Sequence, residues 1–353
     1  METEQTFTRG PILSTLLKFA LPVLLALLLQ AMYGAVDLQV VGKFGTAADI
    51  SAVSTGSQIM QTVTSLITGL AMGITILVGQ KIGEKRPEQA GDVIGSGICL
   101  FGVLAAVLTV LMILGAGFLA GLMHAPDEAF SQTVDYIRIC SAGAVFIIAY
   151  NVLGSIFRGI GDSRMPLFTV AAACVFNIGG DLLLVAGFHM GAAGAALATV
   201  AAQAAGVLLS LAVIRGRTLP FTIGKKNLRF ERRLVGKILA LGTPIALQDL
   251  LVSISFLVIL AIVNSMGVIA SAGVGVAEKL CAFIMLVASA YMQSMSAFVA
   301  QNMGAGKPER AKRALLYGIG TSLMAGVTLF YFSFFHGDAM AGIFARDPQG
   351  VAA

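Results

Sequence analysis

The sequence predicts an all-α integral membrane protein, a tandem repeat of a six-helix unit in two lobes, with about nine transmembrane helices present. Three observations carry that expectation. The chain of 353 residues is 57% apolar and only 12% charged, against roughly 25% charged in soluble domains, and its mean hydropathy is +0.90. The apolar residues run in stretches long enough to span a bilayer, with room for about nine spans of ~20–30 residues plus loops. Finally, two stretches about 221 residues apart read almost alike. They are Val78-Gly79-Gln80-Lys81-Ile82-Gly83-Glu84-Lys85-Arg86-Pro87-Glu88-Gln89-Ala90 and Val299-Ala300-Gln301-Asn302-Met303-Gly304-Ala305-Gly306-Lys307-Pro308-Glu309-Arg310-Ala311. Each follows a long apolar run, and each unit opens on a proline, Leu21-Pro22 and Thr243-Pro244. Duplicated apolar units are what many secondary transporters are built from, with a substrate path between the copies.

In order along the chain, helices are expected at about 14–41, 51–80, 92–123, 131–157, 165–188, 191–214, 238–265, 270–300 and 312–335, separated by glycine and polar breaks. Met1 to Gly10 is polar and the first apolar run is long enough to span, so no cleavable signal fits. Small-residue spacings such as Gly69-x-x-x-Gly73 and Gly117-x-x-x-Gly121, and the Ala/Gly-rich sixth helix, let backbones approach closely where lipid supplies no hydrophobic drive.

Lys and Arg fall in alternate loops. Residues 81–91 hold Lys81, Lys85 and Arg86; residues 157–165 hold Arg158 and Arg164; the loop 215–237 holds eight basic residues; and 301–312 holds Lys307, Arg310 and Lys312. By the positive-inside rule these loops and the N-terminus are cytoplasmic, in a multi-pass protein of a bacterial-type inner (plasma) membrane. The chain divides into an N-terminal six-helix lobe (1–214), a basic inter-lobe loop (215–237) and a C-terminal lobe of three helices (238–353). Six helices precede the long loop and three follow it, so the second copy is expected to be truncated after the ninth span.

Other chemistry finds little support. Cys99, Cys140, Cys174 and Cys281 all lie in apolar runs and read as packing thiols. His124, His189 and His336 are scattered at helix ends, so no metal site is expected. There is no phosphate-binding Gly-x-x-x-x-Gly-Lys-Ser/Thr, and therefore no ATP hydrolysis is expected. The sequence pI near 9.1 reflects loop residues rather than a nucleic-acid surface.

Ionisable residues at membrane depth are rare and functional by default. Asp37 lies about 30 Å along the first helix at ~1.5 Å per residue. Asp181 follows Asn177 by four residues in the fifth, so the two share a face. Asp249 sits mid-depth in the seventh helix beside Gln248, and Glu278 with Lys279 lies in the eighth. Burial disfavours a carboxylate's charged form, which suits a group that loads and releases a proton. The same carboxylate among Asn and hydroxyl oxygens suits Na⁺ equally well.

Val36-Asp37-Leu38 with Val41-Gly42, Arg158-Gly159-Ile160-Gly161-Asp162-Ser163, Asn177-x-x-x-Asp181 and Gln301-Asn302-x-Gly304-Ala305-Gly306 together resemble the multidrug and toxic compound extrusion (MATE) family, of its DinF-like branch. The resemblance implies a MATE-like two-lobe fold, monomeric when complete, and alternating access to a central cavity. It implies export of small organic, often cationic, compounds in exchange for H⁺ or Na⁺, with no cofactor and no enzymatic activity. Carried over by position, it implies coupling roles for Asp37, Asn177 and Asp181, with Asn151 and Thr199 as polar partners in one pocket. Gln30 and Tyr33 match cavity positions two turns and one turn before Asp37. Asp249 and Glu278 are cavity candidates by depth alone. A lipid-linked oligosaccharide flippase shares this helical plan but would be expected to show more cationic residues in its cavity. An intramembrane aspartyl protease is suggested by Gly159-x-Gly161-Asp162, which Arg158 and Arg164 place in a loop where Asp162 pairs locally.

Overall fold

The computed structural model describes residues 7–217, 219–221, 224, 226–264 and 268–335, apart from the side chains at 257, 260, 261, 264, 268–280 and 333. Among them run ten α-helices and no strand: α1 (Ile12–Phe44), α2 (Ala47–Gly83), α3 (Pro87–Leu122), α4 (Asp127–Ala142), α5 (Ala144–Ile160), α6 (Arg164–Asp181), α7 (Gly191–Gly216), α8 (Arg232–Asn264), α9 (Val268–Gly304) and α10 (Pro308–Phe335). A π-helical turn, Leu182–Gly187, extends α6.

Helix starts follow local chemistry. Thr46 and Asp49 form a capping box at the head of α2. The second Asp49 oxygen accepts from the Ala192 amide at 3.0 Å and ties that end to the start of α7. Pro87 occupies the first turn of α3, where its missing N–H costs nothing. Asp162 accepts from the amides of Arg164 and Met165, each at 3.0 Å, and so caps α6. Asp162 thus pairs locally, as its place between Arg158 and Arg164 led us to expect.

Eight of these helices are long and apolar enough to cross a bilayer, and α4 with α5 makes a ninth, bent span. The expected single helix over 131–157 is therefore two helices, bent by 54°. Gly143 sits at the bend with the Val200 side chain pressed where its Cβ would be, so the break lets α7 pack into the elbow. Large apolar side chains such as Leu111, Leu114, Phe118, Val175, Phe176 and Leu208 point outward and stand more than half exposed. Such a surface is tolerable only against lipid.

Helices α1 to α7 pack on one another, and α8 to α10, which follow the basic loop, pack along α2 and α1. These two groups of helices, called lobes here, meet at the end that carries the basic loops. The crossing of α2 with α9 there is made by the duplicated motif meeting itself. A Cβ on Gly83 would strike the Gln301 carbonyl, and one on Gly304 would strike the Gln80 carbonyl. The chain segment Phe7–Gly10 seals this end. Phe7 is fully buried between Phe19 and Phe298, with ring centroids 4.9 and 5.0 Å away. Arg310 donates to the carbonyls of Phe7, Arg9 and Gly10, at 2.9, 2.9 and 2.8 Å. Asn302 and Lys307 add bonds to Phe7 and Thr8. The described part of the inter-lobe loop lies on α3, where the Asn227 amide donates to Asp92 at 2.8 Å.

Candidate functional site

Two polar regions share one residue. The first is a cluster where α1, α6 and α7 meet. Gly180 packs against Ala198, whose Cα a Cβ would approach to 3.2 Å, and this contact brings α6 onto α7. It sets Asn177 and Asp181, both fully buried, beside Thr199 and facing α1. The Thr199 hydroxyl donates to Asp37 Oδ2 at 3.3 Å. The Asp37 carboxyl lies against both Asp181 and Asn177. Among the described residues, Asp37 Oδ1, both Asp181 oxygens and both polar atoms of Asn177 take part in no well-formed hydrogen bond. Two ionised carboxylates are acceptors only and cannot bond to each other; a proton or a cation between them resolves the conflict. One turn along, the same helix pair repeats the pattern, with Gln203 Nε2 of α7 donating to the Tyr33 hydroxyl of α1 at 3.3 Å.

The second region is a cavity of about 560 Å³ between the lobes, walled by α1, α2, α5 and α6 on one side and α8 and α9 on the other. Gln30 and Asp37 of α1, Asn151 of α5 and Asp249 of α8 line it. Its volume falls in the range that holds drug-sized molecules, roughly 300–1,000 Å³. Asp37 therefore belongs to the cavity wall and to the buried cluster at once.

The chain's similarity to known proteins agrees with its internal repeat. The MatE family model matches it twice, over residues 22–183 and 244–353. The chain belongs to the MatE family. The two matches begin at Pro22 and Pro244, the prolines that open the repeat in the sequence. The Probable multidrug resistance protein YoeA of Bacillus subtilis is 27% identical over 94% of this chain and 73% of its own length. The FAD transporter of Shewanella oneidensis is 27% identical over 99% of this chain and 78% of its own. A crystal structure of MATE in complex with MaD3S shares the fold, with a TM-score of 0.91, 21% identity, and coverage of 100% of this chain and 80% of that one. The family is one of transporters.

Within this MatE chain, the residues singled out from the sequence separate into the two regions. Asp37, Asn177, Asp181 and Thr199 come together. Asn151 does not join them: its side-chain oxygen accepts from Thr68 at 3.0 Å and its amide donates to the Ile147 carbonyl at 2.8 Å. It stands on the cavity wall instead. Tyr33 is half-buried beside Gln30 and Gln203. Asp249 faces the cavity from the second lobe, while the side chain of Glu278 lies outside the described residues. Sequence reading missed Gln203 and Arg158. Gln203 was legible in principle, since it follows Thr199 by four residues as Asp37 follows Tyr33. Arg158 was read as a loop charge, yet it lies inside α5 and lines the cavity.

Proposed function

We propose that the protein is a secondary active exporter that carries organic, often cationic, compounds through the central cavity in exchange for H⁺ or Na⁺. One observation carries the reading: Asp37 faces the cavity with the same carboxyl group that meets Asp181 behind the wall. A cation taken up between Asp37 and Asp181 cancels the charge that a cationic compound would pair with in the cavity. Loss of that cation restores the charge and favours the compound. Ion and cargo thus compete for one carboxylate, which is the condition for exchange. If the ion is H⁺, the carboxyls share it. If it is Na⁺, the oxygens of Asp37, Asp181, Asn177 and Thr199 supply the hard ligands it requires.

Several relatives are named for multidrug resistance or export, and the Shewanella relative is an FAD transporter. These names support organic cargo. With the basic loops on the cytoplasmic side of a bacterial-type inner membrane, the end sealed by Phe7–Gly10 is cytoplasmic and cargo leaves by the opposite one. The chain acts as a monomer and performs no chemistry on its cargo.

The test is dye movement in proteoliposomes under an imposed pH gradient or Na⁺ gradient, comparing wild type with Asp37→Asn and Asp181→Asn. One gradient drives a fluorescent cationic dye in wild type, and the rate falls by about tenfold or more in both variants, within the usual range of coupling free energies. Equal dye movement in all three proteins would remove these acids from the mechanism.

A further inference from the structure

The cavity has a cationic end as well as an acidic one. Arg158 lines it from the last turn of α5. Its recorded partner is a neutral neighbour, with Nη2 donating to Ser155 Oγ at 2.9 Å. Nε is buried without a partner, and no carboxylate pairs with the guanidinium among the described residues. A guanidinium carries five N–H donors and stays charged under all ordinary conditions. Holding one in a low-dielectric site without a counter-charge is costly. The partial negative charge at the end of α5 offsets part of that cost, but leaves Nε without a partner. Gly154, one turn earlier, has no side chain to cover it: a Cβ there would lie 3.2 Å from Nη1. Gln61, Thr64 and Thr68 of α2 add neutral polar groups to the same cavity wall.

We infer that Arg158 forms an anion-recognising subsite, so that the cavity takes organic molecules bearing a carboxylate or phosphate group, with zwitterions placing that group at Arg158 and a cationic group at Asp37. The inference rests on the exporter reading and narrows its substrate class. The dimensions allow it. Along α1 the cavity lining runs from Val23 to Asp37, about 21 Å of helix at ~1.5 Å per residue, so one elongated molecule can engage both ends. A substrate with only a positive charge gains nothing from Arg158 and is repelled by it.

The test uses a matched pair of dyes, rhodamine 110 with a free carboxylate and its methyl ester rhodamine 123. Binding to the full chain in neutral detergent micelles is followed by fluorescence polarisation. Wild type binds the acid more tightly than the ester. Arg158→Gln weakens acid binding by about tenfold, the size of one lost charge-assisted hydrogen bond, and does not weaken binding of the ester, which is freed of the repulsion. Arg158→Lys, which keeps the charge without the planar fork, falls between. If Arg158→Gln fails to fold, the wild-type preference and Arg158→Lys still decide: a wild type that favours the ester overturns the inference. An acid-to-ester ratio that is the same in all three proteins overturns it too, and leaves the exporter reading intact. Failure of wild type to bind either dye overturns both. Displacement of the acid by phosphatidylglycerol but not by phosphatidylcholine assigns the subsite to a lipid headgroup and overturns the claim for a soluble substrate.

Discussion

Asp37 connects the two polar regions because of where it stands on α1: one side of its carboxyl meets Asp181 and Asn177, the other opens to the cavity. Groups that act as one unit lose their effect together. The double variant Asp37→Asn/Asp181→Asn should therefore drive dye no more slowly than either single variant, as measured in proteoliposomes; additive losses would mean two independent sites. Among the described residues, Thr199 supplies the one well-formed hydrogen bond to the Asp37 carboxyl. Thr199→Val keeps the shape and removes the donor, so the concentration of driving ion at half-maximal dye flux should shift by about tenfold, as expected for a bond to a charged group. An unshifted ion titration would place Thr199 outside the coupling site. Asp37 and Asp181 stood out in the sequence because a charge at membrane depth needs a reason, whereas Thr199 was reached only through the family resemblance. Arg158 was not, because a basic residue near a loop satisfies the positive-inside pattern whether it faces water or a cavity.

At the level of elements, the duplicated motif owes its resemblance to the contact it makes. Gly83 of α2 and Gly304 of α9 each admit the other helix's backbone, at the Gln301 and Gln80 carbonyls. Gly83→Ala and Gly304→Ala push apart the same crossing, so each should lower stability by about 1–3 kcal/mol, the usual cost of overpacking. Thermal unfolding in micelles reads this, and a large loss for one with none for the other would contradict the reciprocal contact. Arg310 holds three carbonyls of the N-terminal segment. Arg310→Ala should raise amide hydrogen exchange over residues 8–10 by about tenfold or more, as local opening becomes cheaper; unchanged protection would show that burial of Phe7 alone secures the segment. Both features were half visible from sequence. The repeat announced itself, but nothing in its spelling showed that the two copies touch. The polar start of the chain gave no sign that Phe7 seats between Phe19 and Phe298. The bend at Gly143 was hidden because a helical pattern reads the same whether its helix is straight or broken.

For the whole molecule, hydropathy and loop charge were enough to predict the helical membrane fold, and the family match agrees with the repeat. They could not show which polar residues of different spans meet, since that depends on small-residue contacts such as Gly180 against Ala198. Those contacts create the central claim, that ion and cargo compete for Asp37. The direct measurement is proton release, or Na⁺ displacement, when a cationic dye binds the purified protein in weakly buffered micelles. The account predicts that dye binding releases the ion from wild type and releases none from Asp37→Asn. Dye binding to wild type with no release of H⁺ and no dependence on Na⁺ would contradict it.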